Sequence, residues 1–184
     1  MKIEKVSDLM IPLEQYATVF EDATLYDAVI ALEKAQEELD RTRYKYLHRA
    51  ILVLDKNKQV VGKISQLDVI KALEPKYKEM GDRLSHWGFS PEFLKSMLDN
   101  YMLWANSLVV LSTKAASLKA KDFMYTPTEG EYINADAPLE EAMHMLVMGQ
   151  HHSLLAIKDK KIIGILRLTD VFAAIFDVIK GCEI

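Results

Sequence analysis

Apolar runs, each followed by a polar turn and then a helical stripe, occur twice along this chain in the same order. Ala50-Ile51-Leu52-Val53-Leu54 is unbroken by polar residues and reads as a buried strand. Asp55-Lys56-Asn57-Lys58 then turns the chain into a second strand, Gln59–Ile64. Ser153–Ile157 and Lys161–Leu166 restate that pair. Ahead of the first pair, a short strand at Ala17–Phe20 leads through Asp22-Ala23-Thr24 into a helix from Leu25, whose Leu25, Ala28, Val29 and Leu32 share a face. Ahead of the second, Tyr132–Ile133 leads into a helix over Leu139–Met148. A helix also closes each unit: Gln66–Leu73, stopped by Pro75, and Leu168–Ile179.

The two units agree in residues as well as in pattern. GKISQLD at Gly62–Asp68 returns as GILRLTD at Gly164–Asp170. Asp8-Leu9-Met10 answers to Asp122-Phe123-Met124, and Thr24-Leu25-Tyr26-Asp27-Ala28 to Pro138-Leu139-Glu140-Glu141-Ala142. Each reads strand, helix, strand, strand, helix, and neither is long enough to bury a core alone. The expected fold is therefore α+β: two tandem β-α-β-β-α repeats packed with pseudo-twofold symmetry, residues 1–73 and 119–184, around a helical insert at 74–118. A cleft between like halves is a natural place for a small molecule.

Two segments break the symmetry. The first repeat holds about eleven extra residues within Glu33–Leu47, charged and helix-favouring, which predicts a longer first helix. In the insert, Ser90-Pro91-Glu92 is a strong helix start. Phe93, Leu94, Met97, Leu98, Tyr101, Met102, Ala105, Leu108 and Val109 then predict one apolar helix over Ser90–Leu111. So apolar a helix needs a cover, either this chain or a twin, or else a different protein docking on it.

Composition narrows the function. Half the residues are apolar and 27% charged, as in soluble globular proteins. A net charge of −4 argues against a nucleic-acid binder working through a basic surface. The single Cys182 excludes an internal disulfide framework and suits a reducing cytoplasm. The longest uncharged span, Asn100–Thr113, is about two-thirds of the roughly 20 residues a membrane helix needs, so no membrane insertion is expected. No Walker loop, GxSxG elbow, HExxH or paired catalytic Cys/His is present, so no catalytic residue is assigned and an enzyme is not expected. His144, His151 and His152 lack an acid or cysteine to complete a metal set, and the neighbouring methionines read as core filler.

The repeated heptapeptide, with its D-Φ-M lead-in and D-x-T-L-x-x-A helix start, resembles the cystathionine β-synthase (CBS) domain, whose pattern there is G-apolar-apolar-Ser/Thr-x-x-Asp. The resemblance covers nearly everything except Glu74–Leu118. It implies a free-standing CBS pair, a Bateman-type regulatory module that binds adenosine-type ligands in the clefts between repeats. AMP, ADP or ATP is the implied ligand, with S-adenosylmethionine open. It also implies a homodimer and a regulated partner protein of unknown identity. Carried over by position, Ser65 would contact phosphate, Asp68 the ribose hydroxyls, and Thr18 the adenine. The second repeat keeps Asp170 but has Arg167 in place of the hydroxyl residue and Tyr132 in place of the threonine; Arg167 either clamps a phosphate or fills the pocket. Lys63 replaces an apolar residue and adds a cation or points to solvent.

The residues support this chemistry independently of the name. A carboxylate can accept both hydrogen bonds of a ribose diol, and amides opening a helix beside a hydroxyl favour phosphate. Plainer readings stand beside these. Ser65-x-x-Asp68 is also a capping box. His48-Arg49 and His151-His152, matched ahead of the second strand of each repeat, either face phosphates across the cleft or are solvated strand starts. Two functions therefore remain: a nucleotide sensor whose inter-repeat geometry signals to a partner, and a ligand-free interaction module using the 90–111 helix for docking or dimerisation.

Overall fold

The computed structural model describes residues 4–80 and 89–182. The first half runs α1 (Val6–Leu9), β1 (Ile11–Pro12), β2 (Thr18–Phe20), α2 (Leu25–Glu37), β3 (Ala50–Leu54), β4 (Val60–Ser65) and α3 (Gln66–Leu73). The insert holds α4 (Lys76–Met80), α5 (Pro91–Asn100) and α6 (Leu108–Ala115). The second half repeats the first with α7 (Ala120–Phe123), β5 (Tyr132–Asn134), α8 (Leu139–Met148), β6 (Ser153–Lys158), β7 (Lys161–Arg167) and α9 (Leu168–Gly181). This is the expected α+β arrangement of two tandem repeats.

Local chemistry sets these elements. The β3–β4 turn closes because the Asp55 carboxylate accepts the Asn57 and Gln59 amides at 2.8 Å each, while Lys58 takes φ 60°. The β6–β7 turn uses Asp159 and Lys160, both at positive φ. Each hairpin slips register at the same place, Val53/Leu54 and Ala156/Ile157. Thr24 caps α2: its hydroxyl accepts the Asp27 amide, and the Asp27 carboxylate accepts the Thr24 amide at 2.9 Å.

The repeats exchange their lead-ins. β1 pairs antiparallel with β7, Ile11 opposite Ile165, so the order of that sheet is β1-β7-β6-β5. The Val6 amide donates to the Ala137 carbonyl at 3.1 Å, and Val6 is buried in the core of the second repeat with Leu154 and Leu166. The lead-in of the second repeat goes the other way. Ala120 lies in the first repeat's core with Ala28 and Ile51, and Tyr125 and Lys63 exchange backbone hydrogen bonds of 2.8 and 2.9 Å beside the β2-β3-β4 sheet. Between the halves a third cluster joins Leu52 of β3 to its counterpart Leu155 of β6, with Ile11, Tyr16, Leu39, Tyr44 and Ile165. Each sequence repeat is thus completed only by the other.

Two expectations are corrected. The charged stretch after Glu33 lengthens α2 only as far as Glu37, to 13 residues against 10 in α8, and does not carry the helix on to Leu47. Asp40 instead accepts the Thr42 amide (2.9 Å) and hydroxyl (2.6 Å), a side-chain turn that competes with helix, and Leu39 and Tyr44 fold inward. The apolar stripe from Ser90 is not one helix either. α5 stops at Asn100, Met102 and Trp104 take φ 45° and 56°, and α6 starts afresh after Ser107. Buried Glu74 makes the break by accepting the Trp104 amide at 2.8 Å, while the Lys76 ammonium caps the Tyr101 and Met102 carbonyls. Nor does the described chain cover α5: Phe93, Leu94 and Leu98 remain exposed.

Candidate functional site

Strand β4 delivers Ser65 straight into the first turn of α3, where its extended backbone (φ −91°, ψ 168°) makes it the N-cap. The Asp68 carboxylate accepts the Ser65 amide at 2.8 Å and the Ser65 hydroxyl at 2.6 Å through one oxygen, Oδ2. The Asp68 amide donates back to Ser65 Oγ at 3.3 Å. So the capping box forms, and Oδ1 of Asp68 accepts no hydrogen bond among the described residues. Both side chains are half-buried at the edge of the interface. Capping and ligand contact are compatible here, because capping engages one carboxylate oxygen and leaves the other.

The second repeat faces this helix start. Lys63 of β4 points across to buried Glu131, whose carboxylate also accepts the Tyr125 hydroxyl (2.6 Å) and the Thr128 amide (3.1 Å). Burial pushes the Glu131 carboxyl up, but Lys63, Tyr125 and the Thr128 amide outweigh it and hold it below the usual carboxylate range. The Tyr125 phenol is pushed up, first by its bond to Glu131 and then by burial. Lys63 Nζ stands 5.2 Å from the Tyr125 ring centroid. His151 is half-buried against Gly149 and 3.6 Å from where a Cβ on Gly130 would be. Tyr132 packs against the inter-repeat cluster. Arg49 and His152 are exposed.

The counterpart cleft is built differently. Arg167 holds Asp170 in a fork, Nε to Oδ2 and Nη2 to Oδ1 at 2.6 Å each, with both residues 5% exposed. Its Nη1 lies 3.2 Å from Nδ1 of His48, the counterpart of His151. His48 is fully buried, edge-on to Tyr16 at 4.4 Å, and its Nε2 has no hydrogen-bond partner among the described residues. Burial first, and then the Arg167 cation, lower the His48 pKa to about 4. Tyr44 closes the outer side, its ring centroid 6.0 Å from the Arg167 guanidinium carbon. Thr18 is half-buried on β2 opposite Leu52. Its neighbour Tyr16 packs on His48, which meets Arg167, so the start of the first repeat lines the cleft headed by the second repeat's helix. Thr18 thereby stands on the Asp170 side and Tyr132 takes the corresponding place on the Asp68 side.

Contacts bring Ser65 together with Asp68, and Lys63 with Glu131, at the first cleft, and Arg167, Asp170 and His48 at the second; the repeat symmetry assigns Tyr132 and His151 to the first as counterparts of Thr18 and His48. Sequence reasoning missed Tyr125, Gly130 and Glu131 in one and Tyr16 and Tyr44 in the other. Aligning the repeats one turn before the first strand would have set Tyr16 against Gly130 and Ala17 against Glu131, and so exposed the asymmetry.

Two βαββα units that exchange lead-ins and head a cleft each with a Ser/Arg-x-x-Asp helix start define a tandem-repeat fold. A family model, the CBS domain, matches residues 6–75 and 120–177, and the chain belongs to that family. Among solved structures it is similar to the CBS-pair protein CBSX2 of Arabidopsis thaliana, with 19% identity and a TM-score of 0.60 over 98% of this chain and 100% of that one. CBSX2 in complex with AMP is similar at 19% identity and TM-score 0.57, covering 95% and 97%. A CBS domain-containing protein of Bacillus anthracis follows at 18% and 0.60, covering 94% and 93%. At these identities the likeness establishes the fold. No curated protein matches by sequence.

Proposed function

We propose that this chain is a non-catalytic regulatory module that binds an adenine nucleotide in the Ser65–Asp68 cleft. The observation that carries this reading is the half-buried helix start of α3, with one Asp68 oxygen uncommitted among the described residues. Family membership and the AMP complex of CBSX2 support it. Asp68 Oδ1 would accept a ribose hydroxyl, the α3 amides and Ser65 would meet phosphate, and Lys63 and His151 would supply positive charge. Tyr132 would border the base. The ligand is AMP, ADP or ATP, with S-adenosylmethionine the alternative that shares the ribose.

Because each repeat is completed by the other, a ligand bridging them shifts their angle by as much as it prefers one arrangement. A cytoplasmic partner protein reads that shift, and two chains form a homodimer. Among the described residues no helix is long and apolar enough to cross a membrane. A second reading, a ligand-free docking module, rests on the exposed Phe93, Leu94, Leu108 and Val109 of α5 and α6.

Calorimetric titration with AMP, ADP, ATP and S-adenosylmethionine decides between them. Micromolar binding lost in Asp68→Ala supports the sensor. Silence across the panel from a folded protein favours the docking module.

A further inference from the structure

We propose that the chain fills the Asp170 cleft with its own side chains and so binds one nucleotide per chain, in the Ser65–Asp68 cleft alone. This rests on the nucleotide reading above. The Asp170 carboxylate, counterpart of the proposed ribose acceptor, spends both oxygens on the Arg167 fork, and neither residue is open to a ligand. The guanidinium occupies the place where Ser65 stands in the other cleft, and its third nitrogen meets His48.

Thr18 is smaller here than its counterpart Tyr132, but two of the side chains that fill this cleft are much larger than theirs. Tyr16 stands where the other cleft has Gly130, and Arg167 where it has Ser65. Tyr44 has no counterpart at all. It belongs to the extra residues of the first repeat, which fold over this cleft as a strap. The Asp40–Thr42 turn starts the strap, the Tyr44 ring centroid stands 5.2 Å from the Arg43 guanidinium carbon and 6.0 Å from that of Arg167, and Lys45 ties the strap to Asp177 of α9 at 2.6 Å. The tie is exposed and contributes little itself; the buried Tyr44 and Arg167 hold the strap down. What remains outside, bounded by Arg43, Tyr44, Lys45, Asp170 and Asp177, is a cavity of about 170 Å³. That lies below the roughly 300 Å³ at which small-molecule sites begin.

Titration of the full chain with ATP, alongside NMR of the arginine Nε–H groups, tests the proposal. The expected result is one equivalent per chain, lost in Asp68→Ala, with the Arg167 Nε–H resonance unmoved at saturation. Asp68→Asn, which keeps the side-chain volume, serves where the alanine variant does not fold. Two equivalents, binding that survives both Asp68 variants, or a nucleotide-induced shift of the Arg167 signal would overturn it. A complete lack of nucleotide binding removes the nucleotide reading but leaves the filled cleft to be judged without ligand. There, an Arg167 Nε–H exchanging with water far more slowly than that of exposed Arg43 supports it, and equal rates sink it.

Discussion

The carbonyl oxygen of Ile11 lies 2.5 Å from where a Cβ on Gly164 would stand. The glycine that opens the repeated heptapeptide is therefore there to let the other repeat's lead-in strand close against it. Gly62 does the same for Met124 and Tyr125. The two contacts are unequal. At Gly164 the obstacle is backbone, within the Pro12–Gly164 register of β1 and β7. At Gly62 the nearest atoms belong to the flexible Met124 side chain at 2.4 Å, with the Tyr125 carbonyl behind at 3.2 Å. Gly164→Ala should cost roughly 1–3 kcal/mol, in the range of overpacked cores, and Gly62→Ala less. Urea unfolding of both variants checks the order, and equal losses would contradict it.

His48 gives the stability a pH dependence of known sign. Its pKa is about 4 in the folded protein against 6.5 in the free side chain. As pH falls, the unfolded chain takes up the proton first, so the stability that neutral His48 provides is complete above about 6.5 and gone below about 4. The ceiling is roughly 3 kcal/mol. Exposed carboxylates such as Asp22 and Asp27, whose pKa values lie below 3.8, act only at lower pH. The urea midpoint of the native protein should drop between pH 7 and pH 5, and His48→Asn should flatten that drop. A parallel fall in both would remove His48 as the cause.

Lys63 and Glu131 occupy the positions that Ile165 and Ala17 hold in the other half. On one side Ile165 lies in the apolar inter-repeat cluster and Ala17 in the core of the first repeat; on the other Lys63 and Glu131 form a largely buried ion pair. Removing one partner leaves the other charge stranded, so Lys63→Ile alone or Glu131→Ala alone should cost about 3–5 kcal/mol. Lys63→Ile with Glu131→Ala recreates the apolar half and should cost much less than the sum of the single variants. Tyr125, left without its acceptor, limits the recovery. A double-mutant cycle showing additivity would mean the pair is not coupled.

The repeats, their strands and the closing helices were legible because the apolar runs and the heptapeptide report local periodicity. Ala50–Leu54 and Leu139–Met148 fall where periodicity puts them. The exchanged lead-ins were not legible: Ile11 pairs with Ile165, and nothing local to either says so. The candidate site divided in the same way. Ser65 and Asp68 stood out as a spaced pair within one turn. The second cleft took its character from Tyr16, Tyr44 and His48, which chain topology alone brings to Arg167. Helix propensity also failed between Glu37 and Arg49, because a single aspartate turn and two inward side chains outweighed a run of good helix formers.

The insert hangs on Glu74, the residue just past α3. Its buried carboxylate accepts the backbone amide of Trp104, while the Trp104 indole donates to the Tyr77 hydroxyl at 3.0 Å. Beside it a cavity of about 200 Å³, lined by Leu73, Met102, Leu111 and Leu118, leaves the contact between α3 and α6 thinly packed. The polar anchor thus acts beside the apolar contacts of buried Leu103, Leu111 and Ala115. Glu74→Ala orphans the Trp104 amide and should weaken the insert by about 1–3 kcal/mol, loosening it before the repeats unfold. In a Trp87→Phe background, Trp104 fluorescence should then shift to the red at lower urea than the far-UV circular dichroism transition. Coincident transitions in Glu74→Ala would mean that the insert and the repeats unfold as one unit and that Glu74 is not its anchor.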